Sequence, residues 1–490
     1  MRLSESLYTN KAYFDKLFKD CGDFVSHEFD LGDTKVYIAY IDMMTNRETI
    51  DKHIVEPILR APITNNLLDY LKKRGLSTAD VSETDDIDEI CNAVLTGDTA
   101  IITDAIPKAL VISTKGFPNR GIPSAEIEVV VLGSKEAFSE VFRFNTALLR
   151  RRIRDTRLKV KQVTIGTRSR TDIAVVYLDD IARRSVVRDI LRDLNEIRTD
   201  AIFDSGYISQ FIESRPFSLF PQTQVTERPD KASAAIMEGR IVIVVDNSPF
   251  VVIVPATLTT FFQSSEDYYE KFQIMTFLRA LRYACAFIAA TLPAFYIAAL
   301  YNPSEVSALL VFKMAQARAH VPVPAALEVL LMDIGFELIR EASIRLPSPI
   351  GSTLGIVGGI IVGQAAVEAG LVSPIVVIII SLTGIAGFAI PNVSFVASIR
   401  LVKYFLILST WFLGMFGFYA GVLVVLTHLA SLSSFGIPYI FPICSSEVGK
   451  TDLKDTIFRA PLFHMKKRPF FAAPANNIRQ GGEDDDIIEQ

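Results

Sequence analysis

The chain has 490 residues, a formal net charge of −5 and a sequence pI of 5.7, and the absence of any basic patch with interleaved aromatics excludes nucleic acid as an expected partner. Hydrophobic residues make up 50% and mean hydropathy is +0.32 although 21% of residues are charged, so the apolar excess must be concentrated; it lies after about residue 240. Cys21, Cys91, Cys285 and Cys444 are too widely spaced to suggest a metal knuckle and read as unpaired thiols.

The N-terminal stretch MRLSESLYTNKAYFDKLFKD is charged throughout and has no apolar core of about 7–15 residues, which predicts that the soluble region stays cytoplasmic. Residues 34–60 read as an alternating strand ending at Asp42 and then a helix, and residues 171–198 repeat that pattern with the strand ending at Asp179. Gly97 and Gly239 each open two short apolar runs, with Asp104 and Asp246 at one equivalent position and Pro107 and Pro249 at another. The expectation is an α/β soluble N-terminal region of two similar subdomains, 31–150 and 151–262, after a poorly matching segment 1–30. The run LLRRRIRDTRLKVK between them reads as a solvated helix face, with phosphate binding as the alternative. Residues 241–262 read as a hairpin, because as a membrane span they would carry Asp246 into hydrocarbon at a cost of about 2.5–3.5 kcal/mol.

From 263 to 445 the expectation is an all-α transmembrane bundle of four spans (283–300, 350–370, 374–396 and 401–430), or five if 241–262 insert. The first span holds Pro293 and is expected to reach back toward Phe277; the last is long enough to tilt. Between the first two, residues 324–347 form an amphipathic helix with Leu327, Leu331, Ile334 and Leu338 on one stripe. Asp333, Glu337, Arg340, Glu341 and Arg345 lie on another, as an interfacial helix with intrahelical ion pairs or as a coupling element that passes a signal to the spans. In the second span Gly355, Gly359 and Gly363 form a helix-packing face. Val357, Ile361, Gln364 and Glu368 lie opposite, either lining a pore between identical subunits or belonging to a buried packing helix with Glu368 at the interface. Residues 446–490 form a basic and then acidic tail, partly disordered and expected in the cytoplasm. No clustered nucleophile, base or metal-ligand set is present, so catalytic residues, cofactors and metals are expected to be none and the chain is not read as an enzyme.

Several long blocks, among them KGFPNRGIPSAEIEVVVLGSKEAFSE, FPQTQVTERPD, GRIVIVVDNSPFVVIVPATLTTFFQSSEDYYEKF, REASIRLPSPIG and IVGQAAVEAGLVSPIVVI, resemble the A subunit of the GerA-type nutrient germinant receptors of bacterial endospores, over roughly residues 34–445. The resemblance implies a multi-pass protein of the spore inner membrane that assembles with a transporter-like B subunit and a lipoprotein C subunit. It also implies a homo-oligomeric, channel-forming role in nutrient-triggered ion release, embedded in membrane lipid. That role would make Val357, Ile361, Gln364 and Glu368 pore-facing. The rival readings are a membrane-anchored scaffold or signal-coupling subunit without a pore, and a secondary transporter, against which the lack of an obvious inverted membrane repeat speaks.

Overall fold

The computed structural model describes residues 1–490 except 33, 63–66, 77–79, 117–123, 306, 346–362, 444–451, 470–475 and 481–490. Two five-stranded antiparallel sheets build the N-terminal half. The first holds β1 (Phe24–Leu31), β2 (Thr34–Ile41), β3 (Val81–Thr84), β4 (Thr99–Thr103) and β5 (Ala109–Ile112) in the order β1-β2-β4-β5-β3. The second holds β6 (Leu158–Ile165), β7 (Thr171–Leu178), β8 (Gln224–Thr226), β9 (Ile241–Val245) and β10 (Val251–Val254) in the order β6-β7-β9-β10-β8. The strand order is the same, so the repeat read from residue spacing is a repeat of topology.

The repeat extends to a helix before each sheet, α1 (Leu7–Leu17) in the first copy, and in the second copy a helix labelled α3 below. Helix α2 (Ile87–Leu95) packs on the first sheet, while α3 (Phe142–Arg152), α4 (Arg184–Glu196), α5 (Ser205–Ile212) and α6 (Pro229–Met237) surround the second. The Asp104 carboxylate accepts from the Leu7 N–H at 3.0 Å, and Asp246 accepts from the Phe142 N–H at 3.2 Å. Each carboxylate thus caps its helix N-terminus, where unsatisfied N–H groups favour negative charge. Asn10 bridges the backbone N–H and C=O of Ser4, and Asn145 does the same for Ser139, each six residues earlier in the chain. Both asparagines are buried. The first 30 residues are therefore structural: Leu7, Phe14 and Phe18 are buried in the first core.

Residues 241–254 look like a membrane segment in sequence because both sheet faces are covered. On one face Ile241, Ile243 and Val245 pack with Ile190 and Leu194 of α4; on the other Val242 and Val244 pack with Leu148 of α3 and Ile236 of α6. Strands buried on both sides lose alternation and read as continuous apolar runs. They pair as an antiparallel hairpin, Val251 opposite Val244.

The arginine-rich run is only partly a solvated face: Arg154 and Arg157 are exposed, but Arg150 is not. Arg150 is fully buried and grips Asp23 of the first copy with two bonds, Nε at 2.7 Å and Nη2 at 2.9 Å. Backbone bonds join the copies beside it, Gly22 N–H to the Val160 carbonyl at 2.9 Å and Val160 N–H to the Asp20 carbonyl at 3.0 Å. Arg151 and Arg152 both engage Glu136.

The C-terminal half is helical. It comprises α7 (Phe272–Tyr301), α8 (Ala308–Ala317), α9 (Ala325–Arg345), a short helix over 363–368, α10 (Pro374–Phe388) and α11 (Val393–Ser431). By length and composition, α7 (30 residues) and α11 (39 residues), with 18-residue stretches of mean hydropathy 1.8 and 1.9, are able to cross a membrane. The first expected span begins earlier than read, at Phe272, and Pro293 lies inside it without ending it. The expected span 374–396 is not continuous. Helix α10 stops at Phe388, and Asn392 starts α11 by accepting from the Phe395 N–H at 3.0 Å.

The expected span 401–430 is not one tilted rod either. Gly414 has φ 61° and ψ −142°, values foreign to a helix and open to glycine. A methyl added to Gly421 would meet the side chains of Leu406 and Ser409 at 2.8 Å, so the chain after Gly414 folds back along the chain before it. At the other end Phe220 lies 6.1 Å from both Phe395 and His428. Helix α11 is thus a helical hairpin with a first leg of about 30 Å and a second of about 25 Å at 1.5 Å per residue.

Asn145→Leu would leave the N–H and C=O of buried Ser139 unpaired and is expected to cost about 2–4 kcal/mol. Asn10→Leu is expected to act in the same direction through Ser4. Thermal melting of the purified full chain measures this, and an unchanged midpoint for both variants would show that the two loops do not depend on their asparagines.

Candidate functional site

Helix α9 lies the wrong way round for water. Leu331, Ile334 and Leu338 are 54%, 47% and 66% exposed, while Glu328 and Asp333 are 0% and 3% exposed. Four exposed branched side chains with Leu327 would each forgo about 1.5–3 kcal/mol of burial in water, whereas hydrocarbon outside and polar partners inside reverse that balance. The apolar stripe faces outward, while Asp333, Glu337 and Arg340 of the charged stripe turn toward the other helices and Glu341 and Arg345 at its end stay exposed.

The inward charges are paired across helices. Asp333 accepts from Lys403 Nζ on the first leg of α11 at 2.6 Å, with both side chains nearly inaccessible. One turn on, Glu337 is shared by Arg340 of its own helix and Arg400 of α11, the latter at 3.4 Å. At the start of α9, Glu328 accepts from Arg318 Nε at 3.0 Å and from the Ser373 N–H at 2.5 Å. The intrahelical pairs expected for this helix are present as Arg340–Glu337 and Arg345–Glu341, but the deepest contact, Asp333–Lys403, is interhelical. Sequence reading places Asp333, Glu337, Arg340 and Glu341 on one stripe and assigns no role to Lys403 or Arg400. A lysine and an arginine three residues apart in an otherwise apolar run are the signal that was available.

Gly363 is buried, and a methyl there would lie 3.5 Å from Val377 of α10. Gln364 and Glu368 are exposed on the other side of the short helix 363–368, where Gln364 Nε2 donates to Glu368 Oε1 at 3.0 Å. Gly355, Val357, Gly359 and Ile361 lie outside the described residues.

A second polar cluster, which sequence reasoning missed, ties the helical half to the α/β half. Asp267 caps the 3-10 turn 265–268 together with Ser264, and it receives Arg279 Nε at 2.6 Å and Arg282 Nη1 at 2.8 Å from successive turns of α7. Arg279 also donates to Asp455 of the C-terminal tail at 2.6 Å, and Tyr268 donates its hydroxyl to the same carboxylate at 2.6 Å. Thr276 and Arg459 bond through side chain and backbone. Burial and the adjacent Asp455 carboxylate push the Tyr268 hydroxyl well above its ordinary pKa, and burial lowers that of Arg459. The tail is thereby clasped to the base of α7 by charges the fold has taken out of water.

Residues 12–471 match the family model described as the Bacillus/Clostridium GerA spore germination protein. The chain is 37% identical over 492 residues to the Bacillus subtilis (strain 168) protein named uncharacterized membrane protein YfkQ, covering 100% of this chain and 95% of that one. It is 35% identical over 487 residues to spore germination protein B1 of the same organism, covering 98% and 100%. Spore germination protein KA, also from B. subtilis, is 35% identical over 485 residues, covering 98% and 89%. Among solved structures, the N-terminal domain of the A subunit of the Bacillus megaterium spore germinant receptor GerK3 is 27% identical with a TM-score of 0.43, covering 53% of this chain and 98% of that one.

Lys403→Met alone would leave Asp333 buried without its cation and is expected to lower stability by about 3–5 kcal/mol, while Lys403→Met with Asp333→Leu is expected to recover most of that loss. Melting of both variants in detergent tests the pair. A double variant as unstable as the sum of its singles would show that the two side chains act independently.

Proposed function

Because the chain belongs to the Bacillus/Clostridium GerA spore germination protein family, we propose that it is the A subunit of a nutrient germinant receptor of the spore inner membrane, and that its helical half contributes an oligomeric ion-conducting path. The observation that carries the conducting role is the exposed Gln364–Glu368 pair on a helix whose other side holds buried Gly363, within an apolar half of the chain. A carboxylate at the edge of such a segment is costly against lipid. Water or a second copy satisfies it, and a ring of identical chains supplies both: small residues at the contact and polar groups at one mouth.

In this reading the α/β half and the tail lie on the cytoplasmic side, with the helices in the bilayer. The partners are the transporter-like B subunit and the lipoprotein C subunit. Helix α9 is the coupling element, because Asp333 and Glu337 join it to the first leg of α11 while its far end reaches the α/β half. Val357 and Ile361 form the hydrophobic constriction. No catalytic step is assigned.

Ion flux through membranes holding the chain with its partner subunits distinguishes this from the scaffold reading. Gln364→Leu and Glu368→Gln are expected to change conductance or ion selectivity at matched expression, and flux indifferent to both would remove the short helix from the path. Val357→Ala or Ile361→Ala is expected to favour wetting of the constriction and let ions leak from spores without nutrient; full dormancy with intact ion content at normal receptor levels would contradict the constriction.

A further inference from the structure

Between the α/β half and the ends of α9, α10 and α11 lies a cavity of about 420 Å³ with one apolar side and one cationic side. Ile344, Phe388 and Val393 form the apolar side and are 73%, 76% and 58% exposed, so their side chains continue outward past the cavity mouth. Arg228, Lys231, Arg340 and Arg400 supply the cations. Arg228 is matched by Asp230 at 2.6 Å and Lys231 by Glu128 at 2.5 Å, but Arg340 and Arg400 share the single carboxylate of Glu337. Glu337 thus neutralises only one of the two guanidiniums it touches, and Glu227, the other carboxylate beside this wall, is turned to the loop N–H groups of Ile127 and Glu128.

Two polar groups in the cavity wall lack hydrogen-bond partners among the described residues: the Arg400 Nε–H and the hydroxyl of Ser265, a residue only 8% exposed. Leaving such groups unpaired is costly, so each marks a place for a ligand acceptor. The loop that closes the cavity is held in place. Glu227 accepts from the N–H groups of Ile127 and Glu128 at 2.7 Å each, and Arg228 donates to the carbonyls of Glu128 and Ser134. The same loop nevertheless holds Val129 and Val131 outward at 72% and 85% exposure. Apolar tips fixed outward beside a surplus guanidinium, level with the ends of outward-apolar helices, fit the boundary between headgroups and acyl chains.

We propose that this cavity binds the phosphodiester of an anionic phospholipid in the leaflet facing the α/β half, with Arg340 and Arg400 on the phosphate, Ser265 donating to a headgroup oxygen, and the acyl chains running out over Ile344 and Phe388. The lipid joins the coupling helix, the hairpin and the α/β half at one point, so membrane composition enters the receptor through it. The inference rests on the bilayer reading of the helical half given above.

The test reconstitutes the full chain in vesicles of equal phosphatidylglycerol and phosphatidylcholine, washes the vesicles with alkaline carbonate, and weighs the lipids that co-purify after mild detergent extraction by mass spectrometry. Wild type is expected to retain phosphatidylglycerol over phosphatidylcholine by about fivefold, the effect of about one uncompensated cation near an anionic surface. The Arg340→Gln/Arg400→Gln pair should fall to near parity. Ile344→Gln, at an exposed position that does not threaten folding, should lower total lipid retention. Parity for wild type in a chain that resists the carbonate wash would overturn the lipid site and leave the bilayer reading standing. Release of the chain by carbonate would overturn both. Displacement of phosphatidylglycerol by excess inorganic phosphate would replace the lipid with a soluble anion.

Discussion

The Asp333–Lys403 pair is the contact on which the helical half depends. Two charges taken out of water cost several kcal/mol each unless they meet in good geometry, and here they meet at 2.6 Å with both side chains nearly inaccessible. The pair fixes how α9 is rotated and how far it slides against the first leg of α11. Once that is set, the leucine stripe of α9 must point outward, and Glu337 falls beside Arg400. An ion pair of this kind adds little net stability but is severe about register. That property suits an element that has to keep one alignment or change to another.

The α/β half solves a related problem with the same means. Two copies of one topology are joined by buried Arg150 on Asp23, and the lower cluster of Asp267, Arg279, Arg282 and Asp455 joins the second copy, α7 and the tail. Buried ion pairs therefore sit both between the two copies and at the base of the bundle. Each requires both partners, so the halves are held in one relative arrangement rather than tethered loosely.

Much of the α/β half was legible in the sequence. The equal placing of Asp104 and Asp246 marked the repeat, and the structure gives the reason: each carboxylate caps the helix that precedes its sheet. The hairpin of β9 and β10 was legible because the Asp246-Asn247-Ser248-Pro249 turn outweighed the apolar run. The ion pairs were not, since Arg150 and Asp23, or Lys403 and Asp333, are far apart in the chain; Lys403 stands out in an apolar run, but nothing local names its partner. Helix α9 was read with the correct stripes but without knowing which faced inward, because periodicity is blind to the solvent outside. The reversal at Gly414 was hidden among other glycines of an apolar run, whereas the break at Pro391-Asn392 carried ordinary stop and start signals and should have divided the expected span 374–396. Of the candidate site, the exposure of Gln364 and Glu368 opposite Gly363 follows the helical spacing read from sequence; Arg340 and Arg400 on one carboxylate needed the fold.

The central claim is that the helical half is built inside out, with hydrocarbon against α9 and water at Gln364 and Glu368. Single cysteines at Leu331, Leu338 and Gln364, in a chain whose own cysteines are replaced by serine, can be challenged with a membrane-impermeant maleimide in intact and permeabilised vesicles. The account predicts that the two leucine positions stay unlabelled on both sides while position 364 reacts. Rapid labelling at 331 and 338 would mean that water, not lipid, covers the leucine stripe, and would contradict it.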